Sequence, residues 1–209
     1  MDNNYTAMLL IVDRSGSMAS IRGEMEEALH GLLTEQAKHE GLTTVDVATF
    51  DTAYSLDYRM ADPADVKIEI HPRGGTALWD TLRWCIDGFS KELEALPDHA
   101  RPAKVIMVVA TDGEENSSVQ TNLATVKEMI QSKQDHDQWE MVFLGANQDA
   151  VLEGQNLGFK ADASLTFDTT GDGVASMGAA TSRFISDVRH GQRQGFTPEE
   201  REAVSKRKR

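Results

Sequence analysis

Leu9-Leu10-Ile11-Val12-Asp13-Arg14-Ser15-Gly16-Ser17-Met18 carries an apolar run straight into a carboxylate and two hydroxyls at alternate positions. A run such as Ala7 to Val12, apolar on both faces, is the pattern of a central strand in a parallel sheet covered by helices. Asp13, Ser15 and Ser17 stand at i, i+2 and i+4. In a locally extended chain their side chains leave on the same side, and Gly16 permits the turn between them. Oxygen donors of mixed charge suit a hard divalent cation, and the sparing use of carboxylate favours magnesium or manganese over a caged calcium.

Outward from this stretch the chain alternates between two patterns. Ile21, Met25, Ala28, Leu29, Leu32 and Leu33 keep helical spacing and Gly41 follows as a stop. Thr43 to Phe50 and Ala53 to Met60 read as strands, and the short Asp51-Thr52 link between them implies an antiparallel hairpin. Asp62-Pro63-Ala64-Asp65 reads as a capped helical turn. Gly74-Gly75-Thr76 then opens a helix that carries Leu78, Leu82, Cys85, Ile86, Phe89, Leu93 and Leu96 on one face. Lys104 to Thr111 is a second strand apolar on both faces, ending at Asp112. Beyond it come a helix over 121–131, a strand over 139–144, a short helix from Gln148 to Leu157, a strand at Leu165 and Phe167, and a last helix from Val174 to Val188. This alternation predicts an α/β, doubly wound sheet with helices on both faces, and such sheets bind ligands beyond the carboxyl ends of their strands. Asp13 and Asp112 both lie at such ends.

The D-x-S-x-S cluster after a buried strand resembles the metal-ion-dependent adhesion site of von Willebrand factor A-type domains, the family that includes integrin inserted domains. That family adds a Thr in one loop and an Asp in another, matched here by Thr76 and Asp112. The matches fall in three separated segments, in the family's order, and the resemblance covers roughly Tyr5 to Val188. It implies a Rossmann-like, mostly parallel six-stranded sheet with one antiparallel edge strand, over a single domain of residues 1–190. It also implies that Ser15, Ser17 and Thr76 contact a Mg2+ (or Mn2+) ion, while Asp13 and Asp112 hold it largely through water. A partner protein's Asp or Glu would be the remaining ligand, so the expected activity is binding, without enzymatic chemistry. Stand-alone intracellular members resemble components of multi-protein complexes.

The bulk properties agree. The 209 residues suit one domain, and 21 basic against 34 acidic residues give a net charge of -13. That argues against a nucleic-acid partner, since phosphate contacts need concentrated Lys and Arg. The one cysteine, Cys85, excludes an internal disulfide and fits an apolar helix face. The start Met1-Asp2-Asn3-Asn4 lacks the basic flank of a signal peptide, and the longest apolar runs are too short to span a bilayer. A cytoplasmic protein with no membrane anchor is the expectation. From Arg189 the composition turns to Gly, Gln and charge, so 191–209 is expected to be a loosely held charged tail, with Thr197-Pro198-Glu199-Glu200 offering the start of a short helix.

Blander and rival readings compete for the same residues. Ser and Asp before a helix commonly cap its free amides, which accounts for Asp13, Ser15 or Thr76 singly but not for the set. Magnesium-dependent phosphatases that form an aspartyl-phosphate also place an Asp after the first strand, and phosphoryl transfer is the alternative function. They resemble D-x-D, however, and Ser15 stands at the second position. No lysine accompanies Gly74-Gly75-Thr76 as a phosphate-cradling loop requires, and Ser15 and Ser17 lack the G-x-S-x-G elbow of a hydrolase. The six histidines never pair at zinc-ligand spacing. Asp168, Thr170, Asp172 and Gly173 imitate a calcium loop whose twelfth position is Ala179 instead of Glu, which leaves a turn. Arg14 occupies a variable position of the motif, beside the expected ion.

Overall fold

The computed structural model describes residues 1–146, 149–192 and 195–205. Its centre is β1 (Asp2–Asp13), which pairs in parallel with β2 (Leu42–Phe50) on one side and with β4 (Pro102–Thr111) on the other. β5 (Glu140–Ala146) and β6 (Ser164–Phe167) extend the sheet in parallel beyond β4, and β3 (Tyr54–Ala61) closes the opposite edge, antiparallel to β2. The six-stranded order is β3-β2-β1-β4-β5-β6, so the expected doubly wound, mostly parallel sheet with one antiparallel edge strand is what the chain forms.

The unbroken apolar run of β1 follows from its position. Met8, Leu10 and Val12 point to one side, onto Met25, Leu29 and Leu32 of α1 (Arg22–Gln36) and Val174, Met177 and Phe184 of α5 (Gly171–Arg189). Ala7, Leu9 and Ile11 point to the other, onto Leu82, Ile86 and Phe89 of α2 (Leu78–Glu94), Val126 and Ile130 of α3 (Leu123–Asp135) and Leu157 of α4 (Ala150–Leu157). With a helical layer on each face, successive side chains from Tyr5 to Asp13 are all buried, which removes the polar alternation of a half-exposed strand. The start expected for α4 at Gln148 lies outside the described residues.

Because β2 flanks β1 on one side and β4 on the other, the chain leaves the two central strands in opposite directions. Their carboxyl ends, Val12 opposite Ala110, therefore border the crevice where such sheets hold ligands.

The region after Arg189 differs from the loose tail expected of it. Residues 195–205 lie against the core: Phe196 is buried and stacks on Phe184 with ring centroids 5.0 Å apart, and Val204 is fully buried. α6 (Pro198–Val204) begins with the anticipated capping box, Thr197 and Glu200 each bonding the other's backbone, with Pro198 in the first turn. Two apolar residues in a polar stretch leave no periodic signal, so composition hides this contact. Lys206-Arg207-Lys208-Arg209 lie outside the described residues.

Candidate metal centre

β1 delivers Asp13 fully buried at its last position, and the chain then turns through a single turn of 3-10 helix, Gly16–Ser20, pinned by buried Met18. Asp13 Oδ1 accepts the Ser15 N–H at 2.6 Å and Oδ2 accepts the Thr111 hydroxyl at 2.6 Å. Burial pushes its carboxyl up to about 6 against those hydrogen bonds, and nearby Asp112 pushes in the same direction. A cation against it would favour the ionised form instead. Burial also raises the Asp112 carboxyl, opposed by the bond from Ser17.

The expected residues do come together. Ser15 Oγ lies 3.0 Å from Ser17 Oγ, and Ser17 Oγ donates to Asp112 Oδ1 at 2.6 Å. Thr76 joins them across Gly113. A Cβ built at that glycine would stand 2.9 Å from Thr76 Oγ1, 3.5 Å from Ser17 Oγ and 3.7 Å from Asp13 Oδ2. The three oxygens thus border one small space that any side chain at position 113 would enter. Capping does not account for the Ser15 hydroxyl, which precedes the 3-10 turn without giving it a side-chain cap bond, and the cap position of α2 is held by Ala77, not by Thr76. Thr76, Ser17 and Asp13 around that space, with Ser15 and Asp112 joined to them through Ser17, are a donor set fit for a hard, oxygen-seeking cation. Among the described residues no cluster of three or more His, Cys, Asp or Glu could hold a metal, so the set is distinguished by its hydroxyls.

Sequence reasoning missed the residues that hold the loops in place. Asp51 Oδ2 accepts Nε of both Arg14 and Arg73 at 2.8 Å, and Asp51 Oδ1 accepts the Ala53 N–H. Burial opposes the charge on Asp51, but Arg73, the Ala53 amide and Arg14 more than offset it and hold the carboxyl down at about 2. Arg14 also donates to Thr49 and Ser55, so its guanidinium is committed toward β2 and β3. The Arg73 N–H donates to the Arg14 carbonyl and the Ala77 N–H to the Asp51 carbonyl, tying the segment that carries Thr76 to the end of β1.

A second set of bonds ties Thr76 to the loop after β4. The Thr76 N–H donates to Asn116 Oδ1 at 2.9 Å while the Thr76 carbonyl accepts the Asn116 and Ser117 amides. Glu115 accepts the Trp79 N–H in the first turn of α2, and Asp80 accepts the amides of Val119, Gln120 and Thr121. Each loop thereby satisfies orphan donors of the other. The signal was present in Asp112-Gly113-Glu114-Glu115-Asn116, but acids in a loop do not announce which helix they cap.

No family model matches the sequence, and no curated protein matches it. Solved structures do. Proximal thread matrix protein 1 from the mussel byssus superposes with a TM-score of 0.63 at 15% identity over 88% of this chain and 46% of its own. The von Willebrand factor A-type domain of the type V pili tip protein Mfa5 from Porphyromonas gingivalis gives 0.59 at 9% identity, over 93% of this chain and 98% of its own. The chain has the von Willebrand factor A fold. A von Willebrand factor type A protein from Catenulispora acidiphila agrees, with 0.59 at 19% identity over 86% of this chain and 42% of its own. The chain therefore spans less than half of the mussel and Catenulispora proteins. The mussel protein has also been solved with a zinc-occupied adhesion-site motif, at 0.63, 16% identity, and 88% and 46% coverage. In the present fold no helix among the described residues is long and apolar enough to cross a membrane.

Proposed function

We propose that this chain is a metal-dependent protein-interaction module. Ser15, Ser17 and Thr76 would hold a magnesium or manganese ion at the rim, with Asp13 and Asp112 behind them, and the ligand captured would be an Asp or Glu side chain of a partner protein. The observation that carries this reading is the convergence of Thr76, Ser17 and Asp13 on the space left open by Gly113. The zinc-occupied motif of the mussel protein supports it.

When bound, the cation supplies a Lewis-acidic position for one outside oxygen. The chain's own residues do the rest. Asp13 is fixed by Ser15 and Thr111, so its lone pairs are oriented before any ligand arrives. Ser17 is exposed at the rim and leaves an approach for a partner. Three of the five donors are neutral hydroxyls, so the ion's charge is only partly offset and an outside carboxylate is favoured. The reading is of a binding protein and not of an enzyme: Ser15 stands where a phosphoryl-transferring relative would carry its second carboxylate. The net charge of -13 favours a protein partner over nucleic acid.

The test is capture of partners by the immobilised protein in magnesium, repeated with chelator and with Thr76→Ala. Both treatments should abolish capture, and a Glu→Gln change in the captured partner's contact should do the same. A partner held with undiminished affinity by the Thr76→Ala protein and by the chelated parent sinks the proposal.

A further inference from the structure

Asp51 stands between two guanidiniums, and the two are not alike. Arg14, its side chain 14% exposed, gives Nε to Asp51 Oδ2 at 2.8 Å and a terminal nitrogen to Thr49 and Ser55, an inward-facing pair with a carboxylate that is 4% exposed. Arg73 gives only its Nε to the same oxygen, at 2.8 Å, from a side chain that is 66% exposed. Its two terminal nitrogens have no partner among the described residues, and Asp51 is the one acid it meets there. One carboxylate against two guanidiniums leaves a surplus positive charge at this point of a chain whose net charge is -13.

The surplus lies beside the metal centre. The Arg73 N–H donates to the Arg14 carbonyl and the Gly16 N–H to the Gly74 carbonyl, so Arg73 and Gly74 run along the segment that carries Ser15 and lead directly to Thr76. Asp51 follows β2 and Asp112 follows β4, strands on opposite sides of β1, so about two strand spacings, roughly 10 Å, separate the Arg73 latch from Asp112. The latch uses one bond from Arg73, and Arg14 already offsets the charge on Asp51. What the latch leaves unused is a guanidinium fork held in place by its own Nε and open to the outside, so little side-chain freedom remains to be lost when an anion binds it.

We propose that Arg73 receives a second carboxylate of the partner segment whose first carboxylate is taken at the metal centre, so that the partner presents an extended acidic stretch with Asp or Glu two positions apart. This rests on the metal reading above. In an extended chain, side chains two positions apart leave on the same side about 7 Å from one another, and flexible glutamate stems cover the remainder. The guanidinium is always charged and its parallel donors match a carboxylate, which favours a second acid over a neutral side chain at that position.

The probes are blocked pentapeptides, Gly-Glu-Gly-Glu-Gly and its two single-acid forms with one Glu replaced by Gln. Each is titrated against the whole chain in magnesium and in chelator, and binding is followed by backbone amide signals in nitrogen-15 spectra. In magnesium the two-acid peptide should bind at least tenfold tighter than the tighter single-acid form, and Arg73→Gln should reduce that ratio to below twofold. Lys91→Gln, which removes a charge from an exposed residue near the far end of α2, should leave the ratio unchanged. Equal affinity of the two-acid and single-acid peptides overturns this inference alone, provided that the single-acid forms still need magnesium. Single-acid peptides indifferent to chelator overturn the metal reading and this inference with it. If Arg73→Gln weakens every peptide by the same factor and leaves the ratio intact, Arg73 is a latch only. A loss of ratio in Lys91→Gln equal to that in Arg73→Gln reduces the effect to diffuse attraction and likewise overturns the assignment.

Discussion

Gly113 matters because of what it does not carry. Its missing Cβ would displace Thr76 Oγ1, 2.9 Å away, and stand in contact with Ser17 and Asp13, its three nearest neighbours all being oxygens of the site. Gly113→Ala should therefore lower magnesium or manganese affinity at least tenfold by calorimetry while the melting temperature stays within about 2 °C of the parent, a shift of no more than about 1 kcal/mol. Asp112→Ala should also remove metal binding, since it deletes a donor that Ser17 now engages. At Asp46 the chemistry is linked to pH. Its folded carboxyl holds a proton up to about 7, whereas an unfolded Asp gives it up near 3.9, so between those values the folded state binds more protons. Stability should fall as pH rises through that window, by roughly 2 to 4 kcal/mol, and level off above it. The groups that face Asp46 are Glu92 and Arg59, with Tyr5 and Cys85 close enough to feel its charge. Asp46→Asn keeps an acceptor for the Met60 amide and should flatten the slope; chemical denaturation at pH 5 and pH 8 measures it.

Elements differ in how far the sequence announces them. β1 and β4 are legible because burial on both faces erases polarity from the strand itself, and α2 because its apolar residues repeat at helical spacing. α6 is announced at its start by Thr197-Pro198-Glu199-Glu200, but its attachment is not, because that rests on a few non-local contacts. Arg201 donates to the carbonyls of Ser164 at 2.8 Å, Ala161 at 3.0 Å and Asp162 at 3.0 Å, and the Asp168 N–H donates to the Val204 carbonyl. The helix thus covers β6, the edge strand opposite β3, and satisfies backbone groups that would otherwise offer themselves to another chain. Val204→Ala should cost about 2 kcal/mol by cavity formation, and Arg201→Ala about 1 to 2 kcal/mol by leaving carbonyls unmet. Both follow from urea unfolding. A tail that was merely solvated would show neither loss.

For the whole molecule, two sets of interactions occupy different places. The core is built on alternate faces of β1 and β4 under two helical layers, whereas the five expected metal-site residues sit at the strand ends and loops above it. That those five would meet was expected from their resemblance to the adhesion-site motif, helped by Asp13 and Asp112 standing at the carboxyl ends of apolar strands. The latches that make them meet, Asp51 with Arg14 and Arg73, and Asn116 with Thr76, were not, because they pair ordinary polar residues over 22 to 40 positions of sequence. The separation has a thermodynamic consequence. A cation present at ten times its dissociation constant adds about 1.4 kcal/mol to the folded state by mass action. For a chain of this size that is about 3 to 6 °C of melting temperature. Chelation should therefore lower the melting temperature by no more than this in differential scanning calorimetry, with the unfolding still cooperative, while abolishing partner capture. Loss of the cooperative transition on chelation would instead mean that the loops fold only around the ion, and the rim would then be part of the scaffold, not a site built upon it.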